Sequence, residues 1–143
     1  MTVRKKNIDN FFFEFLNSKI HIGVHEDIVK NESGVKQMYL DAPTTIYKLG
    51  SFQLTCYEGI LTSISCNFRY EENISAFSSI WNHIKTIDNC LHFFKTHGSE
   101  ITINKAFTFD DQLALRLNNG LNLIYDITNY NGSSHLVLIE ING

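Results

Sequence analysis

The sequence predicts an α+β fold. One domain spans residues 1–143, with antiparallel sheet of about seven to eight strands, an N-terminal helix and one or two central helices. Three observations predict it. Apolar residues recur at helical spacing in two stretches, one near the start and one mid-chain. Blocks of alternating residues, punctuated by Gly, Asn and Pro, fill the rest. Helical and strand blocks are segregated rather than interleaved, which argues against βαβ units. At 143 residues with 43% apolar and 19% charged side chains, the chain can bury a core without metal or disulfide staples. No low-complexity linker or internal repeat divides it.

The first helix is predicted over residues 8–17. Ile8, Phe11, Phe12, Phe15 and Leu16 share one face of a helical wheel, opposite Asn10, Glu14 and Asn17. Asn7 or Asp9 supplies an N-cap. Phe13 falls at the rim of this stripe and is the phenylalanine expected to face a partner. A strand is the other reading of the aromatic block, since aromatics also tolerate alternation.

"KIHIGVH" alternates Ile20, Ile22 and Val24 against His21, Gly23 and His25, which predicts a half-buried strand. "EDIVKNESG" reads as a polar connection, and "VKQMYL" as a further strand before the Asp41-Ala42-Pro43 turn. "SFQLTCY" and "ILTSISCNFRY" alternate on either side of Glu58-Gly59, a two-residue hairpin turn. The expected faces are Phe52, Leu54 and Cys56 on the first strand, then Ile60, Thr62, Ile64, Cys66 and Phe68 on the second. With that turn, Cys56 pairs near Leu61 and not with Cys66.

From Asn73 the period changes to three and four. Ile74, Phe77, Ile80, Trp81 and Ile84 predict one helix, and Ile87, Cys90, Leu91 and Phe94 another. Thr86 or Asp88 caps the second helix at its start and Gly98 ends it. "EITINKAFTF", "QLALRL", "LNLIYDI" and "HLVLIEI" follow as an antiparallel meander, with turns at Asn118-Asn119-Gly120 and Asn131-Gly132.

Composition narrows the function classes. Net charge is −3 and the pI is near 6.0, with Arg4-Lys5-Lys6 the only basic run. Nucleic-acid binding is therefore not expected, because its affinity comes from cations that displace counterions from phosphates. Three cysteines, Cys56, Cys66 and Cys90, are odd in number and lack a CxxC spacing, which fits a reducing compartment. Asp9 and Glu14 interrupt the stretch that would otherwise imitate a secretory signal, which needs an apolar run of roughly 7–15 residues. No segment reaches the ~20 apolar residues that span a bilayer. A cytoplasmic protein without membrane contact is expected.

No residue pattern announces a reaction. If "KIHIGVH" is a strand, His21 and His25 lie roughly 13 Å apart, too far to share one ion. His92 and His97 diverge around a helix, and no HExxH or Cys/His finger spacing occurs. No metal and no cofactor are expected. The cysteines occupy apolar periodic positions, as buried small hydrophobes do. No nucleophile elbow or phosphate-binding glycine loop appears.

The acidic pairs Glu26-Asp27, Glu71-Glu72 and Asp110-Asp111 fall at ends of predicted elements. Their plain reading is solvated loops; the sharper one is an electrostatic docking surface for a basic partner. Glu71, Glu72, Asp110 and Asp111 are the expected charged contacts, with Tyr70 and Phe13 as aromatic anchors.

The strand-turn-strand "YKLGSFQLTCYEGILTSISCNF" and the terminal "NGLNLIYDI…HLVLIEI", in a mildly acidic chain rich in Asn, Ile and Phe, resemble the immunity proteins of bacterial polymorphic-toxin and contact-dependent growth-inhibition systems. That resemblance implies a non-enzymatic protein whose partner is a cognate protein toxin, often a nuclease, neutralised in the producing cell by occlusion of its active site. It carries over no functional residue. Two other classes stay open. One is a small enzyme or ligand-binding domain with a site assembled from distant residues such as His21, His25 and Tyr57. The other is an interaction or secretion-chaperone module. The sequence leaves the oligomeric state open.

Overall fold

A computed structural model of the chain describes residues 20–78, 80–96, 98, 100–117, 120–128 and 135–142. The expected helix over 8–17, with Phe13, lies outside the described residues, as do His97 and the Asn131-Gly132 turn. The fold class is α+β. Eight strands are described, successive pairs among the first four and among the fifth to seventh in chain order are antiparallel, and the helices stand apart from the strand blocks. The chain forms two compact units. One comprises the described residues up to 66 together with Ile141 and Asn142; the other comprises those of 67–140.

The first unit begins where the sequence predicted a strand and the structure has none. Gly23 takes φ +97°, a left-handed conformation that interrupts any extended run through "KIHIGVH". Its N–H donates to Leu61 O at 2.8 Å, and Leu61 N–H donates to Val24 O at 2.9 Å, so the segment is tied by single bonds and not by a ladder. His25 Nδ1 then accepts the Asp27 N–H at 3.1 Å and caps a short helix, α1 (Glu26–Lys30). The polar connection expected there is this helix, with Val29 fully buried and Glu26 and Asp27 in its first turn.

Four strands follow as a meander: β1 (Lys36–Asp41), β2 (Thr44–Leu49), β3 (Phe52–Tyr57) and β4 (Ile60–Asn67). The strand β2, "TTIYKL", is one that periodicity did not isolate. Glu58 at φ +50° and Gly59 at φ +81° give the β3–β4 hairpin its two-residue turn, as predicted. Cys56 pairs with Leu61, also as predicted.

The face assignment of β4 needs correction. Register slips by one residue between Thr55 and Cys56, because Thr55 pairs with Ser63 while Cys56 pairs with Leu61. Thr62 is the extra residue, and its Oγ1 donates to Thr55 O at 3.2 Å. This bulge turns Leu61 inward and leaves Ile60 at 39% exposure, whereas strict alternation had buried Ile60. Beyond the bulge, Ile64 and Cys66 are buried as expected. With Phe52, Leu54, Cys56 and Tyr47 they form the first core, each large apolar side chain contributing roughly 1.5–3 kcal/mol. Tyr47 is also buried, and its hydroxyl donates to Glu26 Oε2, tying α1 to β2.

The second unit opens with α2 (Glu71–Ala76) and α3 (Trp81–Ile84), where one continuous helix had been predicted. Phe77 leaves helical geometry at φ −107°, ψ +20°, next to Ser75 and Ser78, residues that weaken helices by competing for backbone bonds. The apolar spacing survives the break, because packing uses it. Phe68 stacks edge-on against Phe77 and tilted against Trp81, both at 5.2 Å between ring centroids. The next helix, α4 (Ile87–Thr96), forms where predicted: Thr86 Oγ1 accepts the Asn89 N–H, and Cys90 and Phe94 are buried, whereas Leu91, expected on the same face, is 40% exposed.

The expected strand "EITINKAFTF" shrinks to β5 (Ile101–Ile103) and a 3-10 turn over Lys105–Phe107. Asn104 ends the strand by turning its Oδ1 to accept the Ala106 N–H at 3.1 Å, while its Nδ2 donates to buried Asn122 Oδ1 at 2.9 Å. The strands β6 (Gln112–Leu117), β7 (Leu121–Asp126) and β8 (His135–Asn142) complete the order β5-β6-β7-β8. All of Leu121–Tyr125 is buried, so β7 is covered on both faces. Ala114, Ile124 and Val137 pack with Phe107 and Leu138 on one side.

On the other side, the fully buried Tyr125 donates its hydroxyl to Ile84 O at 2.6 Å, where α3 ends. Leu136 N–H donates to the neighbouring Lys85 O at 2.9 Å. A Tyr125→Phe variant leaves the Ile84 carbonyl without that donor and is expected to lose about 1–3 kcal/mol of stability. The check is a shift of the urea midpoint, followed by circular dichroism, with an unchanged slope.

Candidate functional site

Two acidic tips of the second unit are presented by tightly held backbone. Phe68 N–H donates to Val137 O at 2.8 Å, which fixes the chain as it leaves β4. Asn67 Oδ1 accepts the Arg69 N–H at 2.9 Å, and Asn73 Nδ2 donates to Asn67 O at 2.7 Å. Those bonds close a turn over 67–73 and leave Arg69, Tyr70, Glu71 and Glu72 facing solvent, with Tyr70 58% exposed. Glu71 and Glu72 occupy the first turn of α2, where negative charge also complements the unpaired backbone N–H groups.

Asp110 and Asp111 form the tip of a tight turn closed by Phe109 N–H to Gln112 O at 2.9 Å and Gln112 N–H to Phe109 O at 3.3 Å. Phe109 stands 59% exposed beside them. Asp111 O accepts the Ile127 N–H at 3.0 Å, and Gln112 pairs with Asp126, so this tip is fastened to the end of β7. Asp126 Oδ1 accepts from both Thr128 N–H, at 2.9 Å, and Thr128 Oγ1, at 2.6 Å. Those two bonds are the main reason its carboxyl sits below the usual carboxylate range. The charges of Arg69 and His135 add to the effect.

Asp126 is thus held beside the Asp110-Asp111 tip by its pairing with Gln112, the residue that follows Asp111. The predicted Tyr70, Glu71, Glu72, Asp110 and Asp111 are all exposed on this unit. Sequence reasoning missed Phe109, Asp126 and Ile127, the last 40% exposed. A signal for Phe109 was present. Tyr70-Glu71-Glu72 and Phe109-Asp110-Asp111 are the same aromatic–acid–acid triplet, and in both the aromatic side chain is exposed.

The third acidic pair has structural work instead. Glu26 takes the Tyr47 hydroxyl and lies 4.0 Å from Lys30, while Asp27 lies 3.4 Å from His25 Nδ1. His25 and Tyr57 each pair with Ile60, which brings their backbones together at the β3–β4 turn, but both side chains are exposed and His25 Nδ1 is engaged in capping α1. His83 stacks on Phe93 at 4.7 Å. Among the described residues, no three His, Cys, Asp or Glu side chains are grouped as metal ligands. Among them, too, no helix is long and apolar enough to cross a membrane.

The cysteines are buried free thiols. Burial pushes Cys56 up to about 11, Cys66 to about 12 and Cys90 to about 11, so each is protonated at neutral pH and a poor nucleophile. No protein-family model matches the chain, and no curated protein or solved structure matches it either.

The thiols make two behaviours measurable. With a disulfide exchange reagent at neutral pH, the native protein is expected to label far more slowly than the denatured chain, which exposes all three. Above pH 9 the unfolded thiols ionise first, so the unfolded state sheds protons that the folded state keeps until about 11–12. Their contribution to stability is complete below pH 9 and declines through that window. Urea midpoints measured from pH 8 to pH 11 are expected to fall.

Proposed function

We propose that the chain is an immunity-type binding protein, which neutralises a cognate bacterial toxin by covering a cationic active site, such as that of a nuclease. The observation that carries this reading is the pair of exposed aromatic–acid–acid triplets, Tyr70-Glu71-Glu72 and Phe109-Asp110-Asp111, on one unit. The acidic side chains would oppose the lysines and arginines with which a nuclease holds phosphate. Long-range attraction of this kind accelerates encounter. Tyr70 and Phe109 would supply the anchoring contacts, since aromatic side chains dominate binding energy at interface centres. Backbone bonds at both tips hold the surface before binding, which lowers the ordering cost of association. The resemblance to immunity proteins supports the same reading, and so does the mild net negative charge.

The test is protection of cells that express the carboxyl-terminal domain of a large secreted protein encoded beside this chain. Wild-type protein is expected to restore growth and to form a one-to-one complex with that domain. Reversing Glu71, Glu72, Asp110 and Asp111 to Lys should slow association by about tenfold or more at low salt, with the difference shrinking as salt is added. A charge-reversed variant that folds, protects fully and associates at the wild-type rate at every ionic strength would refute the surface.

A further inference from the structure

The outer edge of the first unit carries an unusual strand. In β1 all six residues are exposed, among them Met38 at 56%, Tyr39 at 49% and Leu40 at 63%. β1 ends the strand order, so only one of its two backbone edges is hydrogen-bonded to a described strand, β2. An open edge with apolar side chains is a template for another strand.

The sequence of β1, Lys36-Gln37-Met38-Tyr39-Leu40-Asp41, begins with a cation and ends with an anion. Register with β2 skips Met38, because Gln37 pairs with Tyr47 and Tyr39 with Ile46. Setting the bulged Met38 aside, Lys36, Tyr39 and Asp41 lie on one face, and Gln37 and Leu40 on the other. The Tyr39 hydroxyl donates to Asp41 Oδ2 at 3.1 Å, as that placement requires. Without the bulge, Lys36 and Asp41 would fall on opposite faces.

This arrangement makes the strand self-complementary. We propose that β1 pairs antiparallel with β1 of a second copy of the chain about a two-fold axis through Tyr39. Lys36 of each copy then faces Asp41 of the other, Gln37 faces Leu40, and Tyr39 faces itself, every pair on a common face as a continuous sheet demands. Two further observations favour a second copy over an unrelated strand. Lys36 lies directly opposite Lys48 within its own sheet, a like-charge pair that a carboxylate from outside would offset. The charges at the two ends also match only under the antiparallel, two-fold arrangement. Lys36 and the bulge, which commonly protect an edge from promiscuous pairing, here select one register.

Strand pairing of this length gives a small interface, so a reversible dimer with Kd in about the micromolar range is expected. Sedimentation equilibrium of the full chain tests it with paired charge reversals. Lys36→Asp and Asp41→Lys, each alone, place like charges opposite one another twice and should weaken dimerisation about tenfold or more. An equimolar mixture of the two variants should form a heterodimer of about wild-type strength, because every crossing pair is again of opposite charge. The double reversal K36D/D41K should restore the homodimer. A wild-type protein that stays monomeric to about 0.5 mM would overturn the proposal. So would single reversals that dimerise like wild type, or a mixture without heterodimer. The proposal does not depend on the toxin-binding reading, which concerns the other unit.

Discussion

A single buried hydroxyl holds the second unit to its form. Tyr125 sits on β7 with no solvent exposure, and a phenol there is tolerable only if its O–H finds an acceptor. It finds Ile84 O, at the end of a helix too short to be stable alone. The constraint is mutual: the strand needs the carbonyl, and the four-residue helix needs an anchor. Burial pushes the Tyr125 phenol far above its ordinary range, so the donor stays protonated throughout the physiological span. Trp81 begins the anchored helix, and it positions Phe68 together with Phe77. Phe68 adjoins the turn that carries Arg69 and Tyr70. A core contact is thereby connected, link by link, to the acidic surface.

The same logic separates the three acidic pairs. Glu26-Asp27 is absorbed by the fold, one carboxylate taking a buried phenol and the other lying beside a histidine. Glu71-Glu72 and Asp110-Asp111 project into solvent from turns that backbone bonds hold closed. Adjacent acids along a chain are thus uninformative until their neighbours are known. An exposed aromatic preceding the pair is the distinguishing feature.

Much of the architecture was legible in the sequence wherever local chemistry and tertiary packing agreed. Glu58-Gly59 set the hairpin, and with it the Cys56–Leu61 pairing, because positive φ at both residues leaves one economical geometry. Ile87, Cys90 and Phe94 marked a helix that formed. Misreadings fell where a side chain competes with the backbone or one residue shifts the period. Gly23 and the His25 cap converted an alternating segment into a turn and a helix. Thr62 inverted the face of Ile60, and Asn104 cut a strand short. Ser75 and Ser78 flank the break in a helix whose apolar spacing was nevertheless right. The acidic surface was half legible: its charges lie in the sequence, but the placing of Asp126 beside the Asp110-Asp111 tip depends on strand pairing across 14 residues, from Gln112 to Asp126.

The aromatic cluster of Phe68, Phe77 and Trp81 also decides how this protein can be watched. Trp81 is the one tryptophan in the chain, and it belongs to the unit formed by 67–140. Its emission therefore reports on that unit, where the indole packs against Phe68. The meander from β1 to β4 contains Tyr39, Tyr47 and Tyr57 but no indole. Its own unfolding is followed through those tyrosines.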